Sequence, residues 1–134
     1  MQEIINTTSE ILSSQEFLES VNKNRAPDQH RSSGFLCVLK NNPESKDQSP
    51  LILQAVGLVP QNKKERWMNM SQEKAFRLLN SPTHIMTSFE TRNPEKDQTG
   101  GAIRAGDYIL SFSGLTEAGD EQLMRLVAEK CKLA

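Results

Sequence analysis

This sequence has few aromatic residues, no long apolar run and no strong excess of charge. Aromatic residues make up 5% of its 134 residues, and Trp67 is the sole tryptophan. No apolar run reaches the roughly 20 residues of a membrane-spanning helix, so we expect no membrane partner. The net charge of −1 does not supply the positive field that a phosphate backbone requires, so we expect no nucleic-acid partner.

Cysteine is scarce as well. Cys37 and Cys131 are far apart and have no CxxC or Cys/His spacing, which indicates two core thiols in a reducing compartment. Whether they lie within disulfide distance is left open by the sequence. Residues 1–6 lack the basic and apolar regions of a signal peptide, so we expect a cytoplasmic protein.

The residues that could support catalysis or bind a metal have no recognisable partners. His30 and His84 lack an Asp, Cys or second His at a triad or ligand spacing, which favours two loop imidazoles. Asp120 and Glu121 are adjacent carboxylates at the expected start of a helix, where stabilising the helix dipole explains them better than acid–base catalysis. We therefore predict no catalytic residue and no metal site.

The length fits one domain over residues 1–134, and the apolar pattern predicts eight elements. Residues 2–24 have helical spacing, and Ser13 with Glu16 forms an S-x-x-E capping box that favours a restart over one continuous helix. The later elements are strands at 34–40 and 51–59 joined by a polar connection at 41–50, a helix at 72–80 capped by Ser71, a strand at 83–90, a hairpin around Gly106, and a last helix after Thr116.

The resulting order is α-β-β-α-β-β-β-α. Strands in neighbouring pairs without a βαβ rhythm favour an α+β fold, in which helices flank one mostly antiparallel sheet. In the last strand Tyr108, Leu110 and Phe112 share one face, and Ile109, Ser111 and Ser113 take the other, which indicates a sheet with one buried face.

Glycine and tryptophan mark the candidate ligand site. The pairs Gly100-Gly101 and Ser113-Gly114 allow close backbone approach, and the turn is favoured over a ligand pocket as the reason for the first pair. Trp67 is either a cover for the core edge or an anchor at a pocket rim. If a pocket exists, we expect it near these residues, with a contribution from Arg104.

The C-terminal third resembles one known family. Gly100-Gly101, Ile103, a short turn, a strand ending in Ser113-Gly114, and Asp120-Glu121 at the last helix are similar to the ending of the GlcG/HbpS (haem-degrading or haem-binding) family. Glu73-Lys74-Ala75 and Ser81-Pro82-Thr83 are similar to the K-A helix of that family and the segment after it. The sequence departs from the family at Ala102, at Gly119, and in the second hairpin strand, where Tyr108 and Ser111 replace glycines.

The resemblance implies a profilin-like fold, a homo-oligomer, and a ligand that is haem or a related small molecule. No histidine or cysteine falls in the shared motifs, so the cofactor stays unknown. The favoured function is a non-catalytic small-molecule-binding or sensing domain. The alternatives are an interaction module without a ligand and an accessory enzyme or cofactor-maturation factor.

Overall fold

The computed structural model of the chain describes residues 1–45 and 49–133. Part of the polar connection predicted at 41–50 lies outside these residues. Within them the chain forms four α-helices: α1 (Gln2–Leu12), α2 (Gln15–Val21), α3 (Lys64–Leu79) and α4 (Glu117–Lys130). It forms four strands: β1 (Gly34–Lys40), β2 (Ile52–Val56), β3 (Ala102–Ala105) and β4 (Tyr108–Ser113).

The four strands form one antiparallel sheet in the order β2-β1-β4-β3. β1 lies in the centre, where Leu36 pairs with Gln54 of β2 on one side and with Phe112 of β4 on the other. The α+β class and the antiparallel sheet are confirmed. None of the helices in the described ranges is both long enough and apolar enough to cross a membrane.

Two helices begin at, or one residue from, the caps that the sequence predicts for them. The break after α1 confirms the predicted restart, although Ser14 rather than Ser13 caps α2, and its Oγ accepts the Phe17 N–H at 3.3 Å. Thr116 caps α4 as predicted, and its Oγ1 accepts the Gly119 N–H at 3.0 Å. These hydrogen bonds satisfy donors that the first turn of a helix leaves without a partner.

The predicted strand at 83–90 is wrong. This segment makes one isolated bridge, between Thr87 and Ile103, and then turns into a 3₁₀ helix at Ser88–Thr91 that begins with a capping box. Only part of the segment can pair with β3: the Met86 carbonyl accepts the Arg104 backbone N–H at 2.9 Å, whereas the Arg104 guanidinium binds the Ile85 carbonyl at 2.8 Å. The sheet therefore has one strand fewer than predicted.

The predicted start of the third helix is also wrong, because α3 begins eight residues before Gln72, at Lys64. Ser71 lies inside the helix, buried, and its hydroxyl donates to the Met68 carbonyl at 2.8 Å. The buried stripe of α3 has regular helical spacing but includes a serine and a lysine, so it does not appear as an apolar pattern. Its members are Trp67, Ser71, Lys74, Ala75, Leu78 and Leu79.

Helices cover both faces of the sheet, so the prediction of one buried face is wrong. Tyr108, Leu110 and Phe112 do share one face, which packs against α1 and α4. The opposite face of β4 carries Ile109 and Ser111, which are fully buried under α3. We call these the α4 face and the α3 face of the sheet.

Candidate functional site

A cavity of about 360 Å³ opens at the end of the sheet where β4 leaves it, between the first half of α3 and the start of α4. We call it the Trp67 cavity. Its lining combines one large aromatic ring, four basic side chains and the backbone that follows β4. The lining residues are Arg31, Lys63, Arg66, Trp67, Met70, Lys74, Thr99, Ser113, Gly114, Leu115, Glu117 and Asp120.

Trp67 and Arg31 form one wall of this cavity. The Trp67 ring is buried by its position on the inner stripe of α3, and the Arg31 guanidinium carbon lies 5.3 Å from the ring centroid. The Arg31 backbone is fixed to the residue after α2, since the Asn22 side chain accepts its N–H at 2.9 Å and donates to its carbonyl at 3.0 Å. The two residues thus form a planar cationic and aromatic surface.

The environment of Arg31 is electrostatically unfavourable for its charge. Burial is the main cause that lowers the pKa of its guanidinium, and the nearby charge of Arg25 adds to the effect. The charge of Asp120 opposes both effects in part, and an anion bound beside Arg31 would add to this favourable interaction.

A buried ion pair forms the floor of the cavity. Lys74 Nζ lies 3.0 Å from Asp120 Oδ2 and donates to the Phe112 carbonyl at 2.7 Å. The other carboxylate oxygen of Asp120 accepts the Leu115 N–H at 2.9 Å. Burial is the first cause that raises the pKa of Asp120, and it outweighs the opposing effects of Lys74 and the Leu115 N–H. The pair ties α3 to the start of α4 across the end of β4.

Asp120 is therefore not the solvated dipole partner that the sequence indicated, because it is 3% exposed. Glu121 retains more exposure and contacts Arg125 at 3.4 Å within α4. The sequence could not separate the two, since adjacent positions on a helix point in directions about 100° apart.

Gly101 is explained by this ion pair rather than by a turn. Its φ is +124°, and a Cβ at this position would lie 2.7 Å from Lys74 Nζ and 2.8 Å from Asp120 Cβ. Gly100 lies beside it, and its N–H donates to Glu117 Oε1 at 2.9 Å. Both glycines are thus behind the floor of the cavity, and they do not belong to its lining.

The remaining predicted site residues divide between two places. Trp67, Ser113 and Gly114 all line the Trp67 cavity. Arg104 instead reaches the opposite end of α3, where its guanidinium donates to the Leu78 carbonyl at 2.6 Å and to Asn41 Oδ1 at 2.7 Å. This arginine closes the C-terminal end of the helix, because it supplies donors to carbonyls that have no partner within it.

The charge of the lining is positive once the ion pairs are counted. Lys74 and Asp120 neutralise each other, Glu117 lies 3.4 Å from Arg92, and Arg66 lies 3.1 Å from Asp97. In the described ranges, Arg31 and Lys63 take part in no ion pair. Neither cation was predicted from the sequence. Arg31 lies in a polar loop with no motif, and only the fold brings it to Trp67, whereas Lys63 lies four residues before Trp67 at the N-cap of α3, outside the predicted helix.

The lining does not fit a haem group. Haem iron takes histidine, cysteine, tyrosine, or methionine together with histidine as protein ligands. Of these types the lining contains only Met70. His30 belongs to the neighbouring cavity beyond Arg31, where its Nε2 lies 3.1 Å from the Arg25 carbonyl. Across residues 1–45 and 49–133, no three His, Cys, Asp or Glu side chains cluster in a way that could hold a metal ion.

Comparisons with known proteins leave the family assignment open. No protein-family model, curated protein or solved structure gives a significant match to this chain. The resemblance to the GlcG/HbpS family stays a prediction.

Proposed function

We propose that this chain is a non-catalytic binding domain for a small anionic molecule with a planar apolar part, held in the Trp67 cavity. One observation carries the proposal: Arg31 and Lys63, two cations without ion-pair partners in the described ranges, converge on the single tryptophan in one concave site. Ligand sites commonly combine an apolar wall with a few converging polar groups.

The two parts of the ligand would contact different groups. Its anionic end would accept hydrogen bonds from Arg31 and Lys63, and charge-assisted bonds of this kind are about twice as strong as neutral ones. Its planar part would contact Trp67 and Met70, which both line the cavity. The backbone at Ser113 and Gly114 would limit its length at the sheet end.

The buried ion pair has a supporting role in this proposal. Lys74 is 1% exposed, and two of its three N–H donors are directed at Phe112 and Asp120. It therefore fixes the floor instead of attracting the ligand charge directly. A site held by buried directional bonds keeps its shape before the ligand arrives, and such preorganisation lowers the cost of binding.

Thermal unfolding with three matched probes tests the proposal. Phenyl phosphate carries both a ring and an anion, inorganic phosphate lacks the ring, and benzyl alcohol lacks the charge. A ligand present at 100 times its Kd stabilises the folded state by about 2.7 kcal/mol. We expect phenyl phosphate to raise the Tm most, phosphate less, and benzyl alcohol least.

Two variants test whether the shift in Tm comes from binding in the Trp67 cavity. Arg31→Gln removes the cation beside Trp67 and should weaken phenyl phosphate binding about tenfold or more, since hydrogen bonds to charged groups contribute about 1.5–3 kcal/mol. Arg125→Gln is the matched control, because Arg125 is exposed on α4 and pairs with Glu121. Equal weakening in both variants, or no shift with any probe, would contradict the proposal.

The two alternatives predict other results. An interaction module without a ligand gives no shift with these probes or with haemin. An accessory enzyme or maturation factor would turn over a substrate. Substitution of a residue that reacts with the substrate would then abolish turnover, whereas Arg125→Gln would not.

A further inference from the structure

The two edges of the sheet differ in whether another segment of the described chain covers them. On the outer side of β3, the Arg104 N–H donates to the Met86 carbonyl at 2.9 Å, and the Ala102 N–H donates to Ser88 Oγ at 3.0 Å. Residues 86–88 thus cover that edge. β2 forms the other edge, and among the described residues it pairs only with β1.

Within residues 1–45 and 49–133, the β2 edge also lacks the features that keep a strand edge from pairing. Natural edge strands are protected by charged side chains, prolines within the strand, bulges or a covering segment. From Leu51 to Val59 the sequence has no charged residue and no proline. Three leucines of this stretch remain open to solvent: Leu51 is 46% exposed, Leu53 37% and Leu58 96%.

The side chains of β2 are complementary to themselves. In an antiparallel pair of two β2 strands related by a two-fold axis at Gln54, Leu53 meets Ala55 of the other copy and Ile52 meets Val56. Gln54 meets Gln54, and the amide suits this position because it offers both a donor and an acceptor. No like charges oppose each other, since the strand is uncharged, so a second copy fits better than a partner chosen by charge.

We propose that two copies of this chain associate through their β2 edges, so that the two four-stranded sheets join into one continuous antiparallel sheet of eight strands. The proposal specifies the interface of the homo-oligomer expected from the sequence, and it does not depend on the ligand of the Trp67 cavity. A two-fold axis makes the contact isologous and closed, so the assembly stops at a dimer.

Charge at position 54 tests the geometry directly. Gln54 is exposed, so Gln54→Lys leaves the fold of one copy intact but places two ammonium groups opposite each other at the axis. Gln54→Glu does the same with two carboxylates. Each variant alone should raise the dimer dissociation constant about twofold to fivefold, because like charges directly opposite on paired strands destabilise the pair.

Mixing the two variants distinguishes this interface from every other one. An equal mixture of Gln54→Lys and Gln54→Glu should form a heterodimer at least as readily as the parent chain, since opposite charges then meet at the axis. Analytical ultracentrifugation of the full chain across about a hundredfold range of concentration measures the three dissociation constants. Gln122→Lys, at an exposed position on α4, is the matched control and should dimerise like the parent.

Three results would overturn the proposal. A parent chain that stays monomeric throughout the range forms no such dimer. A dimer that both single variants retain unchanged uses another surface. A mixture that dimerises no better than its two components shows that the two position-54 side chains do not meet.

Discussion

The two faces of the sheet are buried by different kinds of side chain. The α4 face buries a cluster of 17 apolar residues against α1, α2 and α4. Among the described residues, the α3 face buries a smaller cluster of seven, with Phe35 and Trp67 buried outside it, together with the polar residues Ser71, Lys74, Arg104 and Ser111. Apolar contacts are non-directional, whereas a buried polar group needs a partner at a defined distance and angle. The α3 face is therefore held in one geometry, and the Trp67 cavity opens on this side.

Removing the cation of the buried Lys74–Asp120 pair should have the largest effect on stability. Lys74→Met leaves the Asp120 carboxylate buried without its partner, and breaking a buried pair in this way costs about 3–5 kcal/mol of unfolding free energy. The double variant Lys74→Met with Asp120→Asn should recover much of that loss. Urea unfolding of both variants measures the difference.

The exposed pair Arg66–Asp97 is the control for this change. Both side chains are more than half exposed, so Arg66→Met should cost less than about 1 kcal/mol. If Lys74→Met costs no more than Arg66→Met, the buried pair does not fix the α3 face.

On the α4 face a truncation should reduce stability without affecting the cavity. Leu123 is fully buried there, and Leu123→Ala should lower the free energy of unfolding by about 2–5 kcal/mol. Its affinity for phenyl phosphate should equal that of the parent under conditions where both are folded. Calorimetric titration checks this, and a loss of affinity as large as that of Arg31→Gln would show that the two faces are not independent.

A smaller effect is expected from one buried hydroxyl of the α3 face. Ser111 Oγ donates to the Ser71 carbonyl at 2.7 Å and links β4 to the middle of α3. Ser111→Ala removes this hydrogen bond but leaves the Ser71 carbonyl its partner within α3, so we expect a loss of about 0.5–1.5 kcal/mol in thermal or urea unfolding. Ser9→Ala, at an exposed position of α1, should change stability little; equal losses in the two variants would mean that the buried hydrogen bond contributes nothing.

The two cysteines distinguish the faces without a change in stability. Cys37 is fully buried on the α3 face, and burial raises the pKa of its thiol to about 12. Because a raised pKa keeps the thiol protonated at neutral pH, and the thiolate is the reactive form, Cys37 should not react with a thiol reagent in the folded chain. Cys131 is half-buried beside α1 and should react.

Counting reactive thiols before and after unfolding in denaturant tests this difference. One thiol should react in the folded chain and two in the unfolded chain. Cys131→Ser should abolish the reaction in the folded state. Two reactive thiols in the folded parent would contradict the packing of Cys37.

The sequence predicted those parts of the fold that depend on local patterns. The α+β class, the helix restart near Ser14, the cap at Thr116 and the alternation along β4 all follow from rules that involve a few neighbouring residues. The start of α3 and the segment at 83–90 depend instead on distant partners. Arg104, 19 residues beyond Ile85, takes up the carbonyl that a strand would have used.

The candidate site could be predicted only in part, because it too depends on contacts between residues that are distant in the sequence. Trp67, Ser113 and Gly114 stand out by composition, and the fold does bring them together. Arg31 becomes a neighbour of Trp67 only through the path of the chain after α2, which no spacing in the sequence reveals. Lys63 lies one helical turn before Trp67, and it could have been found had the start of α3 been predicted correctly. Lys74 and Asp120 are 46 residues apart, and their burial is a property of the packed α3 face.

The proposed binding of an anion beside Trp67 is tested most directly by the fluorescence of that single tryptophan. Titration with phenyl phosphate should change Trp67 emission saturably, with a Kd about tenfold or more higher in Arg31→Gln and unchanged in Arg125→Gln. An emission that does not respond in the parent chain, or that responds equally in both variants, would contradict anion binding in the Trp67 cavity.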